Sequence, residues 1–342
     1  MSQLGRSAGL AGLLEVCRDV GVDAYQLAHA AGLPPAVLTD PDLRVSVEAM
    51  GRMFEMGAEQ SGVDDFGLRI AERRRISNMG VVGLVIREQP TLRKALQAYA
   101  RYQWLQNDAY TLILAEFADQ AILRINGPAW QQRQTAELSV ATALRTIRAI
   151  IGEGWRPQEV WFTHAAPARL DTHRRVLGIT PTFEQDYMAI LMRRSDLDTR
   201  IPTADPAMAE QVARYLERLT EGRSVDLRDK VGELVVALLP DGACTVERVA
   251  QHLGMDRRTL HRRLSAQGAT FTGILDSTRV DLARSLLSTS DRPLQAIADL
   301  LGFSSLSAFA HWFRRKFGQP ASAYRTAHAG AIRASEPLLA AV

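Results

Sequence analysis

The segments VAQHLGM (249–255) and IADLLGF (297–303) are one short pattern written twice, 48 residues apart. In each, an alanine (Ala250, Ala298) is followed four residues later by a glycine (Gly254, Gly302) with a leucine just before it (Leu253, Leu301). A small side chain lets a second helix cross closely, and glycine accepts the positive φ that turns the chain sharply. That spacing predicts a helix-turn-helix, and this chain carries two. The residues after each turn are constrained as well. Asp256 can cap the next helix in the first unit, and Ser304 or Ser305 in the second. Leu260 and Leu264 then form an inward pair one turn apart, as do Phe309 and Phe313.

With the inward face fixed, helical geometry sets the outward one. In the first unit it carries Arg258, His261, Arg262 and Ser265, with Arg257 and Arg263 on the flanks. In the second it carries Ser307, Ala310, His311 and Arg314, with Arg315 and Lys316 near the end. Arginine matches guanine edges and phosphates, and Ser and His can read bases or bind backbone oxygens. A helix-turn-helix lays its second helix in the major groove, and units about 34 Å apart meet one face of DNA. The segment 271–288, read as a helix, is about 27 Å long at 1.5 Å per residue and would space the two readers rigidly. A charged outward face is usually only solvated, so one unit alone would be a weak signal. The duplication, in the basic part of the chain, is what makes double-stranded DNA the expected partner. Residues 223–326 hold 15 Arg and Lys against 10 Asp and Glu, whereas 1–222 hold 25 against 27.

Upstream, residues 10–100 read as mostly helical. In 46–60, Val47, Met50 and Phe54 share a face behind a possible Ser46 cap; in 91–106, Leu92, Leu96 and Tyr99 do so behind Thr91. The period then changes. YTLILAEF (110–117) and AILRI (121–125) flank a polar turn and predict an antiparallel hairpin. A helix is expected over about 131–151, strands at 159–164 and 187–192, and helices near 167–177 and 206–220. The fold class is therefore α+β for the N-terminal part. The polar stretch 219–224 separates it from an all-α part with helices expected at 225–239, 246–253, 257–266, 271–288, 294–301 and 306–317. The predicted domains are 1–222 and 223–326, with a disordered tail over 327–342.

Residues 224–326 resemble the DNA-binding domain of the AraC/XylS family of bacterial transcription regulators. The likeness is strongest in IADLLGFSSLSAFAHWFRRKFGQPASAYR (297–325), where Gly302-Phe303, Phe309, Phe313, the basic run 314–316, Phe317-Gly318, Pro320 and Tyr324-Arg325 fall in register. Two departures are Gln319-Pro320-Ala321, where many members have Ser or Thr before Pro, and Leu306, where polar residues are common. The second shifts base readout toward Arg258, His261 and Arg262. DDFGLRIAERRRISNMGVVGLVIREQPTLRKALQAYARY (64–102) is similar to the arabinose-binding-like N-terminal domain of a long-chain branch of that family, of the OruR and VirS type, and the similarity extends through 175–198. The resemblance implies a sequence-specific regulator that binds promoter DNA, acts as a homodimer and activates through contact with RNA polymerase; repression is equally compatible with the residues. It implies a small-molecule effector but carries over no ligand residues. The alternative is a constitutive DNA-binding protein whose N-terminal domain only oligomerises.

The remaining motifs are structural in their first reading. Gly80 and Gly83 lack the Gly-Lys-Ser/Thr of a phosphate loop, which leaves helix packing. Arg73–Arg75 is most simply a solvated charge run, although it could anchor an anionic ligand. Tyr99, Tyr102, Trp104, Tyr110 and Trp130 could line a pocket, but aromatics at such spacing more often fill a core. Cys17 and Cys244 read as free thiols. A thiol-based alkyl-transfer repair protein, which shares the helix pair in some relatives, would need more cysteines near the N-terminus. No metal or catalytic spacing is present, so neither an enzyme nor a cofactor is expected. The chain also shows no secretory signal and no apolar run long enough to span a bilayer, which makes the bacterial cytoplasm the expected location.

Overall fold

The switch of sequence period near residue 110 corresponds to a switch of structure. The computed structural model describes residues 3–127, 132–220, 227–242, 244–253, 255–289 and 292–328. It divides into two units, Met1–Gly222 and Arg223–Val342.

In the N-terminal unit, β1 (Leu4–Arg6), α1 (Leu13–Val20), α2 (Ala24–Ala30), β2 (Arg44–Ser46), α3 (Val47–Ser61), α4 (Phe66–Arg73), α5 (Gly80–Arg87) and α6 (Leu92–Tyr102) precede the sheet. Ser46 and Thr91 cap their helices, accepting from the amides of Ala49 and Lys94. The two-stranded ribbon β1–β2 was not expected, because three residues are too few to establish a period. The predicted hairpin forms as β3 (Thr111–Glu116) and β4 (Gln120–Asn126). After α7 (Arg133–Ile151) come β5 (Glu159–Trp161), α8 (Asp171–Leu177), β6 (Met188–Arg193) and α9 (Pro206–Thr220). The sheet is antiparallel throughout, ordered β3-β4-β6-β5, with Leu123 opposite Ile190 and Val160 opposite Ile190. Strand β5 is shorter than the expected 159–164 and α8 starts later than 167.

Helix α7 is the centre of this unit, with residues buried around nearly its whole circumference. Close approach to it explains a glycine. A Cβ added at Gly67 would lie 2.2 Å from the Gln134 carbonyl oxygen, and the Gly67 amide donates to Gln134 Oε1 at 2.8 Å. Only a residue without a side chain allows α4 to cross α7 at that distance. Gly83 is similar: a Cβ there would meet the Ile76 carbonyl oxygen at 2.3 Å, so its role is packing.

The C-terminal unit contains α10 (Leu227–Leu238), α11 (Val246–His252), α12 (Arg257–Ala266), α13 (Phe271–Thr289), α14 (Leu294–Leu300), α15 (Leu306–Phe317) and α16 (Ala321–His328). Helix α16 was not anticipated, and the tail expected to be disordered from 327 is helical through His328. Tyr324 is the reason: it is buried edge-on against Phe313 and Phe317, which ties the short helix to the core. Gly254, Trp130, the 221–226 connection and everything past His328 lie outside the described residues.

Replacing Gly67 by Ala is expected to destabilise the N-terminal unit by about 1–3 kcal/mol, the usual cost of forcing atoms into a filled interior. Urea unfolding of the full chain would read it as a lower midpoint; an unchanged midpoint would mean that α4 can retreat from α7 freely.

Candidate nucleic-acid interface and the N-terminal cavity

Both second helices of the predicted pairs are anchored on one side and bare on the other. Leu260 and Leu264 are completely buried under α12, and Asp256 caps that helix through the Thr259 amide at 2.7 Å. Under α15, Phe309, Trp312 and Phe313 pack with Phe303, Phe317 and Tyr324, and Ser305 provides the cap through the Ala308 amide at 3.2 Å. Gly302 has φ of 68°, and a Cβ there would stand 2.6 Å from the Leu239 carbonyl oxygen, so the second turn needs glycine on both counts.

The residues predicted to face outward are exposed: Arg257, Arg258, His261, Arg262, Arg263 and Ser265 on α12, and Ser307, Ala310, His311, Arg314, Arg315 and Lys316 on α15. Two of them are already engaged. Arg257 pairs with Glu247 of α11 at 2.9 Å, and Lys316 pairs with Asp276 of α13. Helical phase explains both. Arg257 precedes Leu260 by three residues, and Lys316 follows Phe309 by seven, so each returns to the flank of the buried face. Leu306, at the start of α15, is also exposed.

Two residues that sequence reasoning missed hold the second pair on α13. The Asp276 carboxylate also accepts from Trp312 Nε1 at 3.1 Å. Burial acts to raise this carboxyl, but the Lys316 ion pair and the Trp312 hydrogen bond outweigh it and hold it below the usual carboxylate range. Arg279 donates to the carbonyls of Leu301 and Gly302 at 3.0 and 3.2 Å and lies over the Phe303 ring at 4.6 Å. Their i,i+3 spacing on a helix packed against the pair was the available signal. The two thiols are chemically quiet: burial pushes both Cys17 and Cys244 up to about 11.

The N-terminal unit encloses a cavity of about 330 Å³. Tyr99 and Tyr110 line it, whereas Tyr102 belongs to the surrounding core and Trp104 is not part of the lining. Of the arginine run, Arg74 and Arg75 reach the cavity; Arg73 pairs on the surface with Asp19 at 2.7 Å. Arg74 donates to Thr142 Oγ1 at 3.2 Å, to the Ala11 carbonyl at 3.4 Å and to the Gly9 carbonyl. Burial lowers its guanidinium to about 10 and raises the Tyr99 and Tyr110 phenols to about 12. At neutral pH the arginine is therefore charged and both phenols are neutral. Arg145, Gln103, Ser139 and Thr142 were not anticipated as lining; they are single polar positions on helical or turn segments with nothing local to mark them.

A family profile described as the arabinose-binding domain of AraC transcription regulator, N-term, matches residues 21–201, more than half of the chain, and a helix-turn-helix domain profile matches 249–327. The chain belongs to the AraC family of transcription regulators. This AraC-family regulator is 30% identical over 330 residues to the HTH-type transcriptional regulator VirS of Mycobacterium tuberculosis, covering 95% of this chain and 97% of that one. It is 29% identical over 320 residues to the ornithine utilization regulator of Pseudomonas aeruginosa, at 92% and 94% coverage. Among solved structures, the transcriptional regulator CdpR from Pseudomonas aeruginosa aligns with 89% of this chain and 96% of its own at a TM-score of 0.43 and 21% identity. The protein is a DNA-binding regulator rather than an enzyme. Among the described residues no helix is long and apolar enough to cross a membrane.

Asp276→Asn should separate the structural role of the Lys316 pair from DNA contact. A depressed carboxyl stabilises the fold above its unfolded value of about 3.9, and that contribution is lost as pH falls through the lower folded value. The variant should be less stable than wild type at pH 7, and the difference should shrink as the pH drops below about 4. A difference independent of pH, measured by thermal unfolding, would assign the loss to packing alone.

Proposed function

We propose that this regulator reads promoter DNA with α12 and α15 in successive major grooves, and that its N-terminal unit holds a small effector in the cavity and mediates dimerisation. The observation that carries the reading is the pair of helices with apolar undersides and exposed, arginine-bearing outer faces. Arg258, His261 and Arg262 are the base-reading group, because all three are exposed on α12 and none of them forms an ion pair among the described residues. Arg263, Ser307, His311, Arg314 and Arg315 add base or phosphate contacts. Arg257 and Lys316 contribute only if DNA phosphate competes with Glu247 and Asp276. Helix α13, 19 residues and about 28 Å long, supplies a spacer close to one helical turn of DNA.

Regulation rests on a population shift: an effector changes transcription only by binding one arrangement of the protein better than the other. Contact with RNA polymerase is the natural route to activation for a protein of this family. Repression by occupying a promoter needs only the DNA contacts.

Arg262→Ala should weaken specific binding by roughly 1–3 kcal/mol and relax preference at one base pair. Arg315→Ala should weaken all sequences alike and reduce the salt slope by about one. Equal loss on specific and random DNA for both variants, in titrations across salt, would sink the division of roles. Footprinting on the DNA upstream of the protein's own gene should show two adjacent major grooves protected on one face, and a single protected groove would mean that one pair alone reads. A true effector present at a hundredfold excess over its dissociation constant should stabilise the chain by about 2.7 kcal/mol; if small metabolites produce no stabilisation, the N-terminal unit serves oligomerisation only.

A further inference from the structure

A guanidinium in a low-dielectric interior is costly unless a counter-charge or a full set of acceptors meets it. The N-terminal unit contains arginines treated in both ways, and the contrast is informative. Arg133 lies against the buried Glu137 carboxylate at 3.1 Å. Arg148 has its donors matched by the carbonyls of Val176, Leu177 and Trp155 at 2.7, 2.6 and 3.1 Å, which closes the end of α8. These two are structural.

Arg74 and Arg145 differ. Both line the cavity of the N-terminal unit, and among the described residues neither forms an ion pair with a carboxylate. Arg74 meets only neutral oxygens. Arg145 donates once, to the Arg74 carbonyl at 3.4 Å, and its Nε is buried without a partner. Arg6, also on the lining, is by contrast neutralised by Asp42. The lining carboxylate, Glu153, is exposed and pairs with neither. Arg75, also on the lining and without an ion pair among the described residues, is exposed to solvent; the two partly buried charges that face this space are those of Arg74 and Arg145, together with the Tyr99 phenol and the buried amide oxygen of Gln103. The remaining lining combines apolar side chains, among them Met50, Ile76, Met79, Leu112 and Ile125, with neutral polar ones already hydrogen-bonded within the protein, such as Gln106, Ser139, Thr142 and Thr146.

Resting on the reading of this unit as an effector-binding domain, we infer that the cavity takes a small organic carboxylate with an apolar body, its head group held by Arg145 and Arg74. A planar guanidinium presents paired donors that match the two oxygens of a carboxylate. The apolar walls favour a hydrocarbon or aromatic body over a polyhydroxylated one, and the two guanidinium charges disfavour a cation. The cavity volume lies at the lower end of the range for small-molecule sites, which suits a ligand of modest size.

The test uses the full chain. The low-molecular-mass fraction of the cells that carry the gene is divided on an anion exchanger, and the melting temperature of the protein is measured with the retained and unretained parts. Defined probes are decanoate, decanamide, decyl phosphate and L-arabinose. The retained part should stabilise wild type and lose that effect with Arg145→Gln, whose melting temperature without ligand should be at or above that of wild type, because the substitution removes a partly buried cation that has no counter-charge. Decanoate should bind, decanamide and L-arabinose should not, and Arg145→Gln should weaken decanoate about tenfold or more, with Arg145→Lys between. Stabilisation by the unretained part alone, or equal binding of acid and amide, or an unchanged response in Arg145→Gln would overturn the inference. Decyl phosphate acting where decanoate does not would replace the carboxylate by a phosphate ester. If neither part stabilises wild type, the effector-binding reading itself fails and takes this one with it.

Discussion

A helix can offer polar side chains to DNA only if its other face is held firmly enough to resist rotation, and in the C-terminal unit that hold is aromatic. Phe309, Trp312 and Phe313 of α15 sit among Phe303, Phe317 and Tyr324, with the Phe313 and Phe317 rings stacked 4.1 Å apart. Large rings buried together remove more apolar area per residue than aliphatic chains and have few rotamers to settle into. Arg279 then clamps the turn carbonyls of Leu301 and Gly302, and Asp276 clamps Trp312 and Lys316. The presented face of α15 is a consequence of these contacts. The first pair is lighter, resting on Leu260 and Leu264, yet it carries the denser set of outward basic groups. Anchoring and presentation are thus distributed unequally over the two units.

In the N-terminal unit the corresponding constraint is the near-complete burial of α7. A helix enclosed on all sides must place its charged residues against specific partners, and α7 does so with Glu137 and Arg148. His173, buried beside Glu137 at 2.9 Å, completes that group on the α8 side. Arg145, on the same helix, faces the cavity and has no such partner. The helix that organises the core therefore also supplies a cavity-wall cation whose Nε is buried without a partner. Occupancy of the cavity would act directly on the element to which α3, α4, α6 and α8 are packed.

What the sequence alone determined is the part set by local rules. The two helix-turn-helix units, the caps Ser46, Thr91 and Asp256, a serine cap at 304 or 305, the β3–β4 hairpin and the exposed faces of α12 and α15 are all consequences of spacing, because helical and strand periods bind a residue's direction to that of its near neighbours. The same rule, carried one step further, places Arg257 and Lys316 on the flank of the core. What only the tertiary structure decided is which distant groups meet. No local pattern pairs Lys316 with Asp276 or aims Arg279 at the second turn, and none brings Arg74 from the end of α4 and Arg145 from α7 to one cavity. Those meetings depend on how whole helices pack, including an α4–α7 crossing close enough to require glycine at 67. Periodicity records which way a side chain points; it does not record what waits there.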